Sequence, residues 1–213
     1  MSDIKAFLEQ TYQNLLKVYG HQNWWPSESP FETAVGAVLT QNTNWRNVEK
    51  AVANLKAEAV LTPRKIIDID LNILKKLIRP SGFFNQKSER LKTLAAWWIN
   101  HAGSVNGDSL LLWRDSLLAL KGVGEETADS ILLYSFNLPT FVIDTYTKRL
   151  FKSYGFMLKK FGVETLEKWK YRNWQNFFME NLHNSAELFN EYHALIVIHN
   201  KHTKVGTSKQ KQF

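Results

Sequence analysis

Apolar residues recur at helical spacing along most of the chain. Phe31, Ala34, Val35, Val38 and Leu39 occupy positions i, i+3, i+4, i+7 and i+8, which gathers them on one face of a helix. Leu91, Leu94, Ala95 and Trp98 repeat the pattern, as do Ala128, Ile131 and Leu132, then Leu188, Tyr192, Leu195 and Ile196. The periodic runs are interrupted at residues 26–30, 62–63, 79–82, 103–108, 121–124 and 137–139, where Pro, Gly, Ser and Asn cluster. Thr62 is placed to cap a helix that opens with Pro63. Strand-like alternation is scarce, and residues 140–143 are the one mild candidate. The pattern predicts an all-α protein of roughly ten short helices, without an internal repeat.

Composition adds a partner to this picture. A chain of 213 residues with 44% hydrophobic positions can bury a core in one domain or two small ones. Its eight Trp exceed what such a core needs, which suggests a pocket that stacks flat groups. The formal net charge of +7 suits a polyanion: nucleic acid, or less often a membrane surface. Beyond His199 the chain carries Lys201, Lys204, Lys209 and Lys211 and no acid.

Several classes fall away. Without cysteine there is no disulfide, Cys-type zinc site or iron–sulfur cluster. His193, His199 and His202 have no carboxylate at ligand spacing, so no metal site and no cofactor is expected. No Gly-rich phosphate loop follows a strand, and Ser104, Ser109 and Ser116 lack a nucleophile's setting. Residues 1–19 have no signal-peptide pattern, and no stretch approaches the ~20 apolar residues of a membrane span. The expectation is a soluble cytoplasmic protein, nucleoid-associated if bacterial. Phe151, Tyr154, Phe156, Trp169, Trp174 and Phe177 are expected to pack a second domain.

The most informative segment is Leu120-Lys121-Gly122-Val123-Gly124-Glu125-Glu126-Thr127-Ala128. One apolar helix ends at Leu120 and another begins directly after Gly-Val-Gly. The two glycines allow a turn with positive φ and no side chain in the way. Val123 is then free to point inward and pin the helices, while backbone N–H groups of the turn and the next helix N-terminus face a phosphate. Pro139 is followed by Phe141-Val142-Ile143-Asp144-Thr145, where Asp144 is also a natural N-cap for a helix over 145–154.

Together these segments resemble the endonuclease III superfamily of helix-hairpin-helix DNA glycosylases. The resemblance implies a two-domain helical fold without the cluster: a six-helix domain over 30–137 with the hairpin at about 113–135, and a second domain from 1–29 plus 138–213. It implies that Asp144, twenty residues beyond Gly124, is the catalytic carboxylate that stabilises positive charge on the sugar or activates water. It places Lys121, Gly122, Val123, Gly124, Glu125 and Thr127 on DNA, together with Gln41 of Leu39-Thr40-Gln41-Asn42-Thr43, which fills the gap left by a flipped base. Gln41 also reads as an ordinary polar helix end. Gly82-Phe83-Phe84-Asn85-Gln86-Lys87 resembles a family loop and serves equally well as a structural turn.

Trp24-Trp25-Pro26, Phe31-Glu32, Gln41–Trp45 and Arg79–Phe83 are similar to the bacterial endonuclease III-like 3-methyladenine DNA glycosylases. That resemblance implies a base pocket of Trp24, Trp25, Pro26 and Trp45, with Lys201 facing it, and stacking of a cationic base on Trp25 and Trp45. A core role for Trp24 or Trp25 is the competing reading. Bifunctional relatives carry a Schiff-base lysine where this chain has Glu126, and a glutamate cannot form an imine. The expectation is a monofunctional glycosylase, monomeric, acting on double-stranded DNA with a damaged base and using no metal. The alternatives are a mismatch or adenine glycosylase of the same fold, or a non-catalytic helix-hairpin-helix DNA-binding protein.

Overall fold

The computed structural model describes residues 3–163 and 166–205; most of the basic tail, including Lys209 and Lys211, lies outside them. The described residues form twelve α-helices joined by short 3₁₀ turns and loops, with no strand. The chain divides into two compact units, Trp25–Leu138 and Met1–Trp24 with Pro139–Phe213.

The unit Trp25–Leu138 contains α2 (Pro30–Leu39), α3 (Trp45–Ala57), α4 (Pro63–Asp68), α5 (Leu71–Leu77), α6 (Phe84–His101), α7 (Leu110–Leu118) and α8 (Glu125–Phe136). These are seven helices where the resemblance implies six; Ile69, at ψ 141°, separates α4 from α5. Asp70 then caps α5 by accepting from the N–H groups of Asn72 and Ile73. Thr62 caps α4 as its sequence position suggests. Residues 25–29, assigned from sequence to the second domain, belong here, since Trp25 packs against Trp45 and Tyr134.

Helix α2 is the spine of this unit. Every residue from Phe31 to Leu39 is buried, not only the apolar stripe, and α2 packs on α3, α6 and α8. Its small residues make that possible. A Cβ added at Gly36 would come 3.1 Å from the Trp25 ring. Glu32 lies in this buried helix because Lys56 reaches it at 2.8 Å.

Lys87 is the second buried charge, at 1% exposure. Its Nζ donates to the carbonyls of Leu39 (2.8 Å) and Ser81 (2.7 Å), tying α6 to the ends of α2 and the turn at 79–81. The loop resembling a family signature is thus locked by its own lysine. Burial, and secondarily Arg90, pushes the Lys87 pKa down to about 8. We expect Lys87→Ala to cost roughly 2–4 kcal/mol, since it strands two buried carbonyls and opens a cavity. Lys87→Met should cost less, because it fills the volume. The unfolded chain binds the lysine proton up to a higher pH than the native one, so wild-type stability gains on Lys87→Met as pH rises from about 8 towards 10.5. Urea titrations of all three proteins at several pH values check both statements.

The other unit comprises α1 (Asp3–Tyr19), α9 (Thr145–Ser153), α10 (Gly155–Lys160), α11 (Tyr171–Met179) and α12 (Ala186–Val205). Helix α12 packs on α1 and α9. Its core is aromatic: Phe141 stacks on Phe178 at 4.0 Å and 4°, and Phe151 meets Phe178 edge-on. Tyr192 is fully buried and donates to the Leu8 carbonyl. Phe156, expected in this core, is 75% exposed and carries Lys160 over its ring at 4.9 Å.

Residues 140–143 form no strand. Side chains of α11 take over part of a ladder's role. Gln175 donates to Thr140 Oγ1 and the Phe141 carbonyl, and the Ile143 N–H donates to the Tyr171 hydroxyl. This lashing leads the chain straight to Asp144.

Candidate active site

The hairpin between α7 and α8 is built on one left-handed residue. Gly122 has φ +87°, which favours glycine, and a Cβ there would fall 2.1 Å from Arg90 Nε and push that side chain aside. Gly124 differs from the sequence expectation. It is extended at φ −97°, with open space around a notional Cβ. It caps α8 without any side-chain bond, leaving the helix start open to an external acceptor.

Val123 turns its side chain into the core at 7% exposure, so only its backbone remains for a ligand. Lys121, Gly124 and Glu126 are exposed. Thr127 is buried, and its hydroxyl accepts from the Gln41 amide at 2.9 Å. That amide also donates to the Gly122 carbonyl at 3.1 Å, and the Gln41 carbonyl oxygen accepts from Arg90 Nη1. The sequence segment around Gln41 and the hairpin are therefore one hydrogen-bonded unit. Arg90, which no motif marks, is its brace.

A second unmarked brace lies behind the hairpin. Arg114 of α7 grips Asp129 of α8 with two bonds, Nε to Oδ1 at 2.8 Å and Nη2 to Oδ2 at 3.1 Å. Both are buried. Glu125 also faces Arg114 at 3.4 Å, which draws its carboxylate towards α7.

Trp25, Pro26 and Trp45 line one cavity of about 250 Å³, together with Gly36 and Val48. The two indoles meet edge to face, 4.8 Å apart at 85°. A planar group lying flat on one therefore meets the other edge-on, which corrects the expectation of stacking on both. Glu32, Glu49 and Lys56 also line the cavity. Lys56 bridges Glu32 and Glu28, and its pKa is raised chiefly by the bond to Glu32. The wall is thus less poor in acids than its Trp residues suggest.

Asp144 is the N-cap of α9, as its position before Thr145 suggests. Its Oδ1 accepts from the Thr147 N–H at 2.7 Å. Its Oδ2 lies 3.6 Å from His193 Nε2, on α12. The sequence shows no carboxylate at ligand spacing from His193, and folding supplies one from 49 positions away. Burial would raise the Asp144 pKa, but His193 and Thr147 outweigh it and hold the carboxyl below its ordinary range.

Lys201 and Trp24 meet, with Nζ 5.6 Å from the ring centroid. His199 and Asn200 serve the packing of their own unit. Tyr19 is hydrogen-bonded to His199 Nδ1 at 3.0 Å, and the Asn200 amide donates to the Ile196 and Tyr146 carbonyls. Among the described residues no group of three His, Asp or Glu side chains is placed to hold a metal ion. No helix among them is long and apolar enough to cross a membrane.

An all-helical chain with this hairpin, a capping aspartate after it and an indole-lined cavity has the makings of a base-excision enzyme. Residues 35–176 match the HhH-GPD superfamily of base excision DNA repair proteins, and the chain belongs to that family. A Methanocaldococcus jannaschii protein assigned by name to the DNA repair glycosylases is 47% identical over 196 residues, covering 89% of this chain and 85% of that one. The H. pylori 3-methyladenine DNA glycosylase, solved with 1,N6-ethenoadenine, is 30% identical. It superposes with a TM-score of 0.71, covering 94% of this chain and 98% of that one. An endonuclease III–DNA complex has the same fold, at a TM-score of 0.76 and 21% identity, covering 97% of this chain and 90% of that one. The protein is a DNA glycosylase with an endonuclease III-like helical fold and no cysteine to ligate a cluster.

Proposed function

We propose that the protein is a monofunctional glycosylase that hydrolyses the N-glycosidic bond of alkylated purines, 3-methyladenine first among them, in duplex DNA. The observation that carries this reading is the cavity of Trp25, Pro26 and Trp45. An N-alkylated purine is cationic, so an indole face attracts it by stacking and cation–π contact, worth ~0.5–2 kcal/mol. Its glycosidic bond is already weakened by the charge, and protonation of the leaving group is not needed. The 30% identity to a 3-methyladenine glycosylase across nearly its whole length supports the same substrate class.

Asp144 supplies the anion that the reaction requires. As the base leaves, the sugar becomes oxocarbenium-like, and a carboxylate lowers that transition state or orients water. The open start of α8 and the exposed Lys121 hold a phosphate of the backbone, while Gln41 acts at the opened base pair. Water is the nucleophile, since α8 contains neither lysine nor arginine and Glu126 stands at the position of the lyase lysine.

A second reading is a glycosylase for a neutral base, such as a mismatched pyrimidine or adenine. Glu49 and Lys56 in the cavity wall favour it, because they offer the hydrogen bonds that a neutral base requires. The test is to incubate the protein with methylated, uracil-containing and mismatched duplexes and to identify the released bases. Strands are examined before and after alkali. Release of 3-methyladenine with breaks only after alkali is the expected result. Breaks without alkali overturn monofunctionality; release from mismatched duplexes alone favours the second reading. Duplex binding with no release from any of them identifies a non-catalytic DNA-binding protein.

A further inference from the structure

We propose that His193 is a positioning residue for Asp144, acting from α12 to keep the carboxylate charged and aimed. The inference rests on the assignment of Asp144 to the chemistry. Its own support is geometric. The two oxygens of Asp144 face different groups: Oδ1 accepts from the Thr147 N–H at 2.7 Å, and Oδ2 faces His193 Nε2 at 3.6 Å. The first contact fixes the carboxylate to the helix backbone. The second lies beyond the usual ~2.7–3.2 Å of an N–H···O bond but within reach of an ion pair. Oδ2 is therefore faced by a potential cation while keeping room to accept from water or to face a sugar.

Burial makes this arrangement consequential. The side chains are 8% and 12% exposed, so solvent screens the pair only weakly. A carboxylate in such a place would by itself take up a proton. The groups that act against this are His193 from α12 and the N–H and hydroxyl of Thr147 on α9. The Thr147 N–H holds one oxygen, and the imidazole, a group able to carry positive charge, faces the other, so both sides of the carboxylate meet a group that favours the anion.

The test follows single-turnover base release from about pH 5 to pH 9 for wild type, His193→Gln, His193→Lys and Asp144→Asn. Glutamine keeps a polar side chain and removes the cation; lysine restores a cation. The expected result is that His193→Gln begins to lose rate on the acid side at a higher pH than wild type does, while the two rates run together at the alkaline end. DNA affinity should be unchanged, and His193→Lys should recover part of the acid limb. Parallel pH profiles for wild type and His193→Gln overturn the proposal.

Carboxyl and imidazole NMR of the wild-type protein decides the matter should the variants not fold. As the Asp144 carboxyl takes up its proton the His193 ring signals should shift with it, and ring signals that stay put overturn the coupling. If Asp144→Asn is as active as wild type, the assignment of Asp144 fails instead. If that variant is inactive while the His193 profiles run parallel, only the present inference fails.

Discussion

Asp144→Asn is expected to slow base release at least about 100-fold while leaving the protein folded. Asparagine is as good an N-cap as aspartate, and its Oδ1 can still accept from the Thr147 N–H that holds the first turn of α9. What disappears is the negative charge on the oxygen facing His193. The fold should therefore lose only about 1 kcal/mol, whereas the oxocarbenium-like transition state loses its counter-charge outright. The native carboxyl has a lowered pKa, so its contribution to stability is present above the ordinary carboxylate value and vanishes as pH falls through the native one. The stability difference between the two proteins should accordingly close on acidification below about pH 4. Single-turnover kinetics beside thermal melts separate the two effects. A variant that melts normally and still releases bases at the wild-type rate would remove Asp144 from the mechanism.

The largest effect on stability is expected at Asp129. Its carboxylate is fully buried and held by two bonds from Arg114, itself 7% exposed. Asp129→Ala takes both of these bonds from a buried guanidinium, and the 3.4 Å contact to Glu125 is longer than either. The expected cost is ~3–5 kcal/mol, a large part of a domain's total stability. Removing both charges, as Arg114→Met with Asp129→Leu, should cost clearly less, since no uncompensated ion remains. A urea-denaturation cycle of wild type, Arg114→Met, Asp129→Leu and the double variant measures the coupling. A single-mutant cost below about 1 kcal/mol would mean that Glu125 or water replaces Asp129 with ease.

These residues also show what could be read from the chain alone. Helix α2 and the hairpin were legible because their signals are local: apolar spacing, a Gly-x-Gly turn, caps at Thr62 and Asp144. Membership of the glycosylase family was legible for the same reason, since its motifs are short and contiguous. The start of α5 was not marked, although Asp70 caps it, because no Pro or Gly stands beside it. Pairings between distant elements left no mark either. Nothing near Gln41 announces Arg90, and nothing near Arg114 announces Asp129 over any other acid. His193 looked isolated because its carboxylate caps another helix, distant in the chain. The cavity was half legible: its indoles stand out in composition, whereas Glu49 and Lys56 look like solvated helix charges until the fold turns them to the same wall.

The bonds around Gln41 have a consequence for how the protein engages a duplex. A free glutamine side chain gives up ~1.5–2 kcal/mol of rotamer freedom when it is immobilised. Here the freedom is already spent, because Arg90, the Gly122 carbonyl and the Thr127 hydroxyl hold the amide before any DNA arrives. A duplex that takes the amide as it stands incurs no ordering penalty there. One that requires the amide to swing must first offer replacements for three hydrogen bonds. On the role proposed for Gln41, the hairpin thereby sets a threshold that an intact, well-stacked duplex has little means to cross.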